Sequence, residues 1–237
     1  MNANRKSKIE NPKLLWLVRH GESTANVARH KAERDNLPTI NFPEPEADVP
    51  LSETGEKQSV RIGNWFAKQT EKPTVVFCSP YVRACETARI VLSAANFDNL
   101  KINFDERLRE RELGIFDRLT KRGATEKFPA ECAERERLGK FYYRPPNGEN
   151  WADVGERVKS FWRDAKTLCS GENVLIVTHE AVIHLFRYVL ENLSEAEILA
   201  IDRACDIENC AITKYRFDGA NAILETDNVF PAENQTA

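Results

Sequence analysis

Three short, continuous apolar runs constrain this chain more than any other feature. They are Leu14-Leu15-Trp16-Leu17-Val18, Thr74-Val75-Val76-Phe77-Cys78, and the stretch Asn173 to Thr178 (NVLIVT). Each is too short for a helix, and none alternates with polar residues as a half-exposed strand does. Such runs read as strands covered on both faces, the pattern of a parallel sheet. Helical patterns lie between them. Glu53 to Lys68 carries Val60, Ile62, Trp65 and Phe66, with Ser52 placed to cap its start. Tyr81 to Ala95 and Trp151 to Leu168 also read as helices. Alternating strands and helices predict an α/β fold, a three-layer α/β/α sandwich with a mostly parallel central sheet and right-handed crossovers.

Near the end, Ala211 to Phe217 and Ala222 to Val229 flank an Asp218-Gly219 turn signal, which predicts a β-hairpin at the sheet edge. Two stretches break the rhythm. Arg34 to Pro50 holds four prolines and several acids, so it reads as a long loop. Leu119 to Asn150 is highly charged and ends in Tyr142-Tyr143-Arg144-Pro145-Pro146-Asn147-Gly148, a helical insertion followed by a loop. The 237 residues fit one large domain or two small ones, and they show no internal repeat.

Composition narrows the partners. At 41% apolar and 30% charged residues, the chain reads as a soluble globular protein. A net charge of -3 argues against a whole-surface nucleic-acid binder. No apolar run approaches the roughly 20 residues of a membrane helix. The six cysteines (Cys78, Cys85, Cys132, Cys169, Cys205, Cys210) form no C-x-x-C pair, which argues against a zinc ribbon or a disulfide scaffold. Most are expected to be reduced, buried hydrophobes in a cytoplasmic protein. Met1 to Lys13 is polar and basic, and it reads as a frayed tail rather than a secretory signal. Pro231 to Ala237 reads as a second loose end.

The chemistry gathers where the strands stop. The first run ends in Arg19-His20-Gly21-Glu22-Ser23, the second in Ser79-Pro80 with Arg83 one turn onward, and the third in Thr178-His179-Glu180. In an open α/β sheet, ligands sit at the carboxyl ends of strands, near helix N-termini. Of four histidines, two stand at such ends. One strand-end histidine is as readily a structural residue. Two histidines and two arginines at three matching ends point to an anion site. His184, inside the apolar helix Ala181 to Leu190, reads as structural, and His30 as a loop residue.

In the stretches LVRHGESTAN, DVPLSETG, CSPYVRACETA, RLRERELG, GENWADVGERV and VTHEAVIHLF, the chain resembles the histidine phosphatase superfamily, phosphoglycerate mutase-like branch. The order and spacing of R-H-G, S-P-x-x-R-x-x-x-T-A, L-x-E-x-x-x-G and T-H carry the resemblance, from about Leu14 to about Asn209. The segments GKFYYRPPNGENWADV and RLRERELGIFD look more like a mutase-like branch of bacteria, plants and fungi than like glycolytic mutases. The resemblance implies a single catalytic domain of phosphoglycerate mutase-like fold, with an ordered core from about residue 14 to 230 and residues 119–150 as a lid-like insertion over the active site. It implies that His20 is a nucleophile phosphorylated on a ring nitrogen, that Arg19, Arg83 and Asn26 bind phosphoryl oxygens, that His179 stabilises the transition state, and that Glu110 donates a proton to the leaving oxygen. Glu106 and Glu112 are its neighbouring alternatives. No metal or other cofactor is called for, because guanidinium groups supply the positive charge. In this family the insertion sets substrate choice, which makes Lys121, Arg122, Arg144 and the two tyrosines candidates for reading the rest of a small-molecule phosphoester.

The chain departs from the pattern after the last histidine, where Glu180 replaces the usual glycine. Either Glu180 caps the following helix and points away, as the helix dipole favours, or it repels dianions and selects a substrate with a cationic part. A phosphomonoesterase with a phosphohistidine intermediate is the leading expectation. Phosphoglycerate mutase-type transfer comes second, and a catalytically weak phospholigand-binding protein third.

Overall fold

The first apolar run forms β1, Leu14–Arg19, in a computed structural model that describes residues 11–231. Its leading five side chains are all buried. A strand turns successive side chains to opposite faces, and the run divides accordingly. Leu15 and Leu17 enter one core cluster, while Leu14, Trp16 and Val18 enter another. Asn173–Thr178 divides the same way, with Val174 and Ile176 on one side and Leu175 and Val177 on the other. A sheet with two apolar faces needs cover on both.

That cover comes from helices. Among the described residues the chain runs β1, α1 (Thr24–Arg34), α2 (Glu53–Lys68), β2 (Val75–Cys78), α3 (Val82–Ala94), β3 (Ile102–Phe104), α4 (Lys121–Lys127), α5 (Pro129–Leu138), α6 (Trp151–Leu168), β4 (Asn173–Thr178), α7 (Glu180–Leu190), α8 (Glu195–Ala204), β5 (Ile212–Asp218) and β6 (Asn221–Val229). α2 and α3 close one face through Ile62, Phe66, Ala84, Ala88 and Val91. α6, α7 and α8 close the other through Val154, Val158, Phe161, Ile183, Phe186 and Ile198. The sheet order is β3-β2-β4-β1-β5-β6, parallel through β1 and then antiparallel in the final hairpin. The three-layer, mostly parallel architecture is the one expected.

Local chemistry sets the helix ends. Ser52 accepts from the Gly55 amide at 3.1 Å and starts α2. Asn150 and Asp153 form a reciprocal capping box at the start of α6. Each such cap contributes about 1 kcal/mol. Helix α6 then presents Val154, Val158, Phe161, Trp162 and Ala165 along one stripe.

Three elements went unforeseen: α1, α8 and β3. His30 therefore sits on a helix, not in a loop. The insertion is helical as expected, as α4 and α5, and it is pinned to the proline-rich loop. Thr39 bridges Leu119, and the Arg118 guanidinium donates to the carbonyls of Phe42 and Glu44 at 2.6 Å each. Four of the six cysteines are buried, and none is in a disulfide. The terminal segments read as loose ends lie largely outside the described residues.

Candidate active site

The sheet order brings three distant motifs side by side. β2, β4 and β1 are neighbours, with Cys78 opposite Val177 and Thr178 opposite Arg19. Ser79, His179 and His20 leave these strands one residue further on. The ladder continues past the strand ends: the His20 amide donates to the Thr178 carbonyl at 2.9 Å and the Ser79 amide to Val177 at 3.0 Å. The His20 and His179 rings stand 5.1 Å apart, centroid to centroid.

The loop after β1 is held by close backbone approach. A Cβ on Gly21 would lie 2.6 Å from the Gly55 carbonyl oxygen, and one on Gly55 only 2.0 Å from that of Glu22. Only glycine at both positions lets this loop rest on the start of α2. Thr87 ties the loop to α3: its hydroxyl accepts from the Gly21 amide at 2.9 Å and donates to the Arg83 carbonyl at 2.7 Å. The R-x-x-x-T spacing thus sets Arg83 against the histidine loop.

His20 is 3% exposed. Its Nδ1 lies 2.8 Å from the Gly21 carbonyl oxygen. A carbonyl only accepts, so Nδ1 carries the proton and Nε2 keeps its lone pair. Burial, with Arg83 and Arg19 nearby, holds the ring well below the usual imidazole pKa. The ring is therefore neutral near pH 7, and its Nε2 lone pair accepts from Arg83 Nε at 3.3 Å. His179 is likewise held well below its ordinary value, by burial first and then by Arg83 and His20. Its Nε2 lies 2.8 Å from Ser79 Oγ. Its buried Nδ1 has no partner among the described residues.

Each arginine carries a carboxylate. Arg83 donates to the Glu46 backbone carbonyl at 2.7 Å and to its carboxylate at 2.9 Å. Arg19 pairs with Glu180 at 3.1 Å and also donates to the Ile207 carbonyl, while its buried Nε is unpartnered among the described residues. Glu180 also accepts from the Ile207 amide at 3.3 Å. Of the two alternatives for Glu180, pointing away is overturned: it occupies the first turn of α7 yet reaches back onto Arg19. Burial pushes the carboxyls of both Glu46 and Glu180 up, against the pull of the arginines.

Arg19, His20, Glu46, Arg83 and Glu180 line a cavity of about 900 Å³ that also takes in Asn26 and Glu110, while His179 stands behind the His20 ring rather than in the cavity wall. Asn26 completes the α1 capping box, accepting from Ser23, and its carbonyl oxygen lies 3.5 Å from Asn209. Asn209 donates to the His20 carbonyl at 2.9 Å. Glu110 accepts from the Arg111 amide at 2.8 Å. Its loop is anchored where Thr178 Oγ1 donates to the Leu108 carbonyl at 2.7 Å. All seven residues singled out from the sequence thus converge: Arg19, His20, Asn26, Arg83, Glu110, His179 and Glu180.

The insertion residues do not join them. Arg122 pairs with Glu126, Arg144 with Asp153, Tyr142 with Glu195 and Tyr143 with Glu131, and Lys121 is exposed. Apart from Lys121, their polar ends are taken by other side chains outside the cavity. From this stretch the cavity receives Lys140 and Asn147 instead. Of the neighbours of Glu110, Glu112 lines the cavity and pairs with Arg109 at 3.4 Å. His30 and His184 also reach the cavity wall. Glu46, Tyr81 and Asn209 escaped the sequence reading. Ser79 and Arg83 flank Tyr81, which gave a local signal for it. Glu46 had none, since an acid in a proline-rich loop says nothing about an arginine 37 residues away.

The profile of the histidine phosphatase superfamily (branch 1) matches residues 15–229. The phosphoglycerate mutase of Schizosaccharomyces pombe is 31% identical over 198 residues, 83% of this chain and 88% of that protein. A 2,3-bisphosphoglycerate-dependent phosphoglycerate mutase of Rhizobium etli is 29% identical, over 91% of this chain and 96% of its own. Among solved structures, a putative alpha-ribazole-5'-P phosphatase from Escherichia coli superposes with a TM-score of 0.75 at 21% identity, covering 94% of this chain and all of its own. A mycobacterial glucosyl-3-phosphoglycerate phosphatase superposes with a TM-score of 0.68 at 24% identity, covering 91% and 99%. These two share the fold. With the motifs in order and the profile spanning the whole sheet, the chain belongs to branch 1 of the histidine phosphatase superfamily.

Proposed function

We propose that this protein is a phosphomonoesterase that acts through a phosphohistidine on His20. The carrying observation is the fixed tautomer: Nδ1 is tied to the Gly21 carbonyl, which leaves Nε2 as an unprotonated nucleophile in a cationic pocket. Nε2 attacks phosphorus, and the bond to the ester oxygen breaks as Glu110 gives that oxygen a proton. Arg19, Arg83, His179 and Asn26 hold the phosphoryl oxygens. Such fixed donors contribute about 3 kcal/mol each to a transition state of this kind. The Glu110 carboxylate then takes a proton from water as it attacks the phosphohistidine, and inorganic phosphate leaves. Glu46 and Glu180 already stand on the two guanidiniums, so a phosphoryl group competes with them for these donors.

No metal ion enters this scheme. The partner is a small phosphoester rather than a nucleic acid or a membrane, in keeping with the net charge of -3. No helix of the described residues is long and apolar enough to cross a membrane. Six cysteines outside any disulfide fit a cytoplasmic setting.

The sequence relatives named as phosphoglycerate mutases favour a second reading, transfer of the phosphoryl group back to a bound sugar-acid. One assay separates the two. Phosphate release from a panel of phosphoesters, with chelator present, is measured for the wild type and His20→Ala. Release that survives chelator and vanishes in the variant supports the phosphatase. Isomerisation of phosphoglycerate without net release supports the mutase. Binding without turnover leaves a phospholigand-binding protein, and metal-dependent release overturns the mechanism.

A further inference from the structure

Two thiols meet beside the segment that carries Ser79 and Arg83. Cys78 ends β2 and is fully buried, whereas Cys85, the fourth residue of α3, keeps 9% of its surface open. Both point at one atom. The Cys78 thiol donates to the Ser79 carbonyl oxygen at 3.1 Å and the Cys85 thiol to the same oxygen at 3.4 Å, with the Pro80 carbonyl oxygen 3.3 Å from Cys85 Sγ. No other donor meets the Ser79 carbonyl among the described residues.

Other buried thiols behave differently. Burial pushes Cys169 up, and Cys210 up to about 12. Cys85 is instead brought down to about 7, first by the hydrogen bond that Cys78 offers its sulfur and then, against its partial burial, by the Arg89 guanidinium one turn along α3. A thiolate is the form of cysteine that reacts with an oxidant, and a second thiol beside it traps the product.

The thiol protons also hold the site. Ser79 Oγ lies 2.8 Å from His179 Nε2, the Tyr81 ring stands 5.3 Å from that of His179, and Arg83 follows two residues later. Ser79 is itself fully buried. A disulfide has no S–H to donate, so its formation takes both donors from the Ser79 carbonyl. A buried carbonyl left without a partner is driven to move. The bond also closes residues 78–85, with Ser79, Tyr81 and Arg83 among them, into a ring.

We infer that Cys85 is a site of oxidation by peroxide, that Cys78 is its disulfide partner, and that the bond between them shuts the phosphoryl pocket. The Cys85 thiolate attacks one peroxide oxygen, the O–O bond breaks, and hydroxide leaves as Cys85 becomes a sulfenic acid. The Cys78 sulfur then attacks that of Cys85. The S–S bond forms, the S–O bond breaks, and the departing hydroxide takes the Cys78 proton as water. One peroxide is reduced, two thiols are oxidised, and a dithiol reductant reverses the change. The inference rests on the proposed phosphoryl site at His20 and adds its regulation.

The test uses the full chain with Cys132→Ser and Cys205→Ser, which removes the two thiols that are not buried. Trypsin cuts after Arg83, between Cys78 and Cys85, so only a disulfide keeps their peptides joined. After hydrogen peroxide, mass spectrometry should find these peptides linked, and dithiothreitol should part them. Inorganic phosphate binding, measured by calorimetry, reads the pocket without turnover. Loss of one charge-assisted contact costs about tenfold or more in affinity, so oxidation should weaken binding by at least that factor. Cys85→Ser in the same chain keeps a donor for the Ser79 carbonyl. It should bind phosphate within about twofold of its parent and ignore peroxide. The linkage map is repeated on the wild type, so it decides the matter should a variant fail to fold. No linked peptide, a link without loss of affinity, a loss that persists in Cys85→Ser, or no phosphate binding by the reduced chain overturns the inference. Failure of the phosphatase reading shows separately, as absence of phosphate release by the reduced chain from every ester.

Discussion

Glu180→Gly should tighten the binding of a simple aryl phosphate. Arg19 and Glu180 meet at 3.1 Å in side chains 14% and 27% exposed. Two unit charges at that distance attract by about 5 kcal/mol at an effective dielectric of about 20. Exchanging one anion for another on the same guanidinium returns most of this, and solvent at the partly open carboxylate screens the rest. A charge-assisted hydrogen bond lost in the exchange leaves a net cost of about 1–2 kcal/mol. Removing the competitor should therefore lower KM for p-nitrophenyl phosphate by about 5- to 30-fold. Because Arg19 is freed for ground state and transition state alike, kcat should change little. Glu180→Gln, which keeps the side-chain volume but not the charge, should give a smaller shift in the same direction. Burial raises the Glu180 carboxyl, so falling pH protonates it and releases Arg19. The wild-type KM should then fall towards acid pH more steeply than that of the glycine variant. An unchanged KM, or a fall in kcat at constant KM, refutes the reasoning, since Glu180 then holds Arg19 in place instead of occupying it.

Two further outcomes follow from the packing and the buried histidines. Gly55→Ala puts a Cβ 2.0 Å from the Glu22 carbonyl oxygen, so the histidine loop must shift. Overpacking of this kind costs about 1–3 kcal/mol, or about 2–12 °C of melting temperature for a chain of this size. A melting curve identical to the wild type would falsify the claim that the histidine loop rests directly on the start of α2. His184 is held neutral, down to about 4, whereas an unfolded histidine titrates near about 6.5. Between those values the unfolded chain binds a proton that the folded chain does not, so stability falls as pH drops. Glu46 and Glu180, with raised carboxyls, act in the opposite sense. The isolated contribution is the difference between wild type and His184→Phe. It should be roughly 1.4 kcal/mol per pH unit between about pH 6 and 4.5, read from denaturant unfolding. Parallel stability curves for the two chains rule it out.

The central strands and their covering helices were legible because burial on both faces leaves an unbroken apolar run, and because α2 and α6 carry caps and a clear stripe. β3 was not, since Ile102-Asn103-Phe104 is an edge strand of three partly exposed residues with no pattern to see. Helix α1 buries only Ala32, so it lacks the stripe, and its start is marked by the Ser23–Asn26 box alone. Helix α8 had the same local signal in Ser194 and Glu197. At the site, residues on strand ends were readable because sheet geometry alone converges them. Of the residues delivered by loops, Glu110 was readable only through its motif and Glu46 not at all. Glu46 arrives through a contact that no spacing encodes, and Arg122, Arg144 and the tyrosines, promoted for their chemistry, are satisfied by partners on nearby elements.

The alignment of Ser79, His179 and His20 on adjacent strands also bears on how the protein comes to be active. β1 pairs with β4 through residues 14 and 173, so most of the chain must be in hand before the first turnover is possible. Such distant pairing is slow to form. A slip of one residue would turn His179 to the opposite face of the sheet and bring Thr178 beside His20 instead. A refolding chain should therefore recover its helical signal well before its catalysis. The lag between the two would time the moment when β4 locks into register.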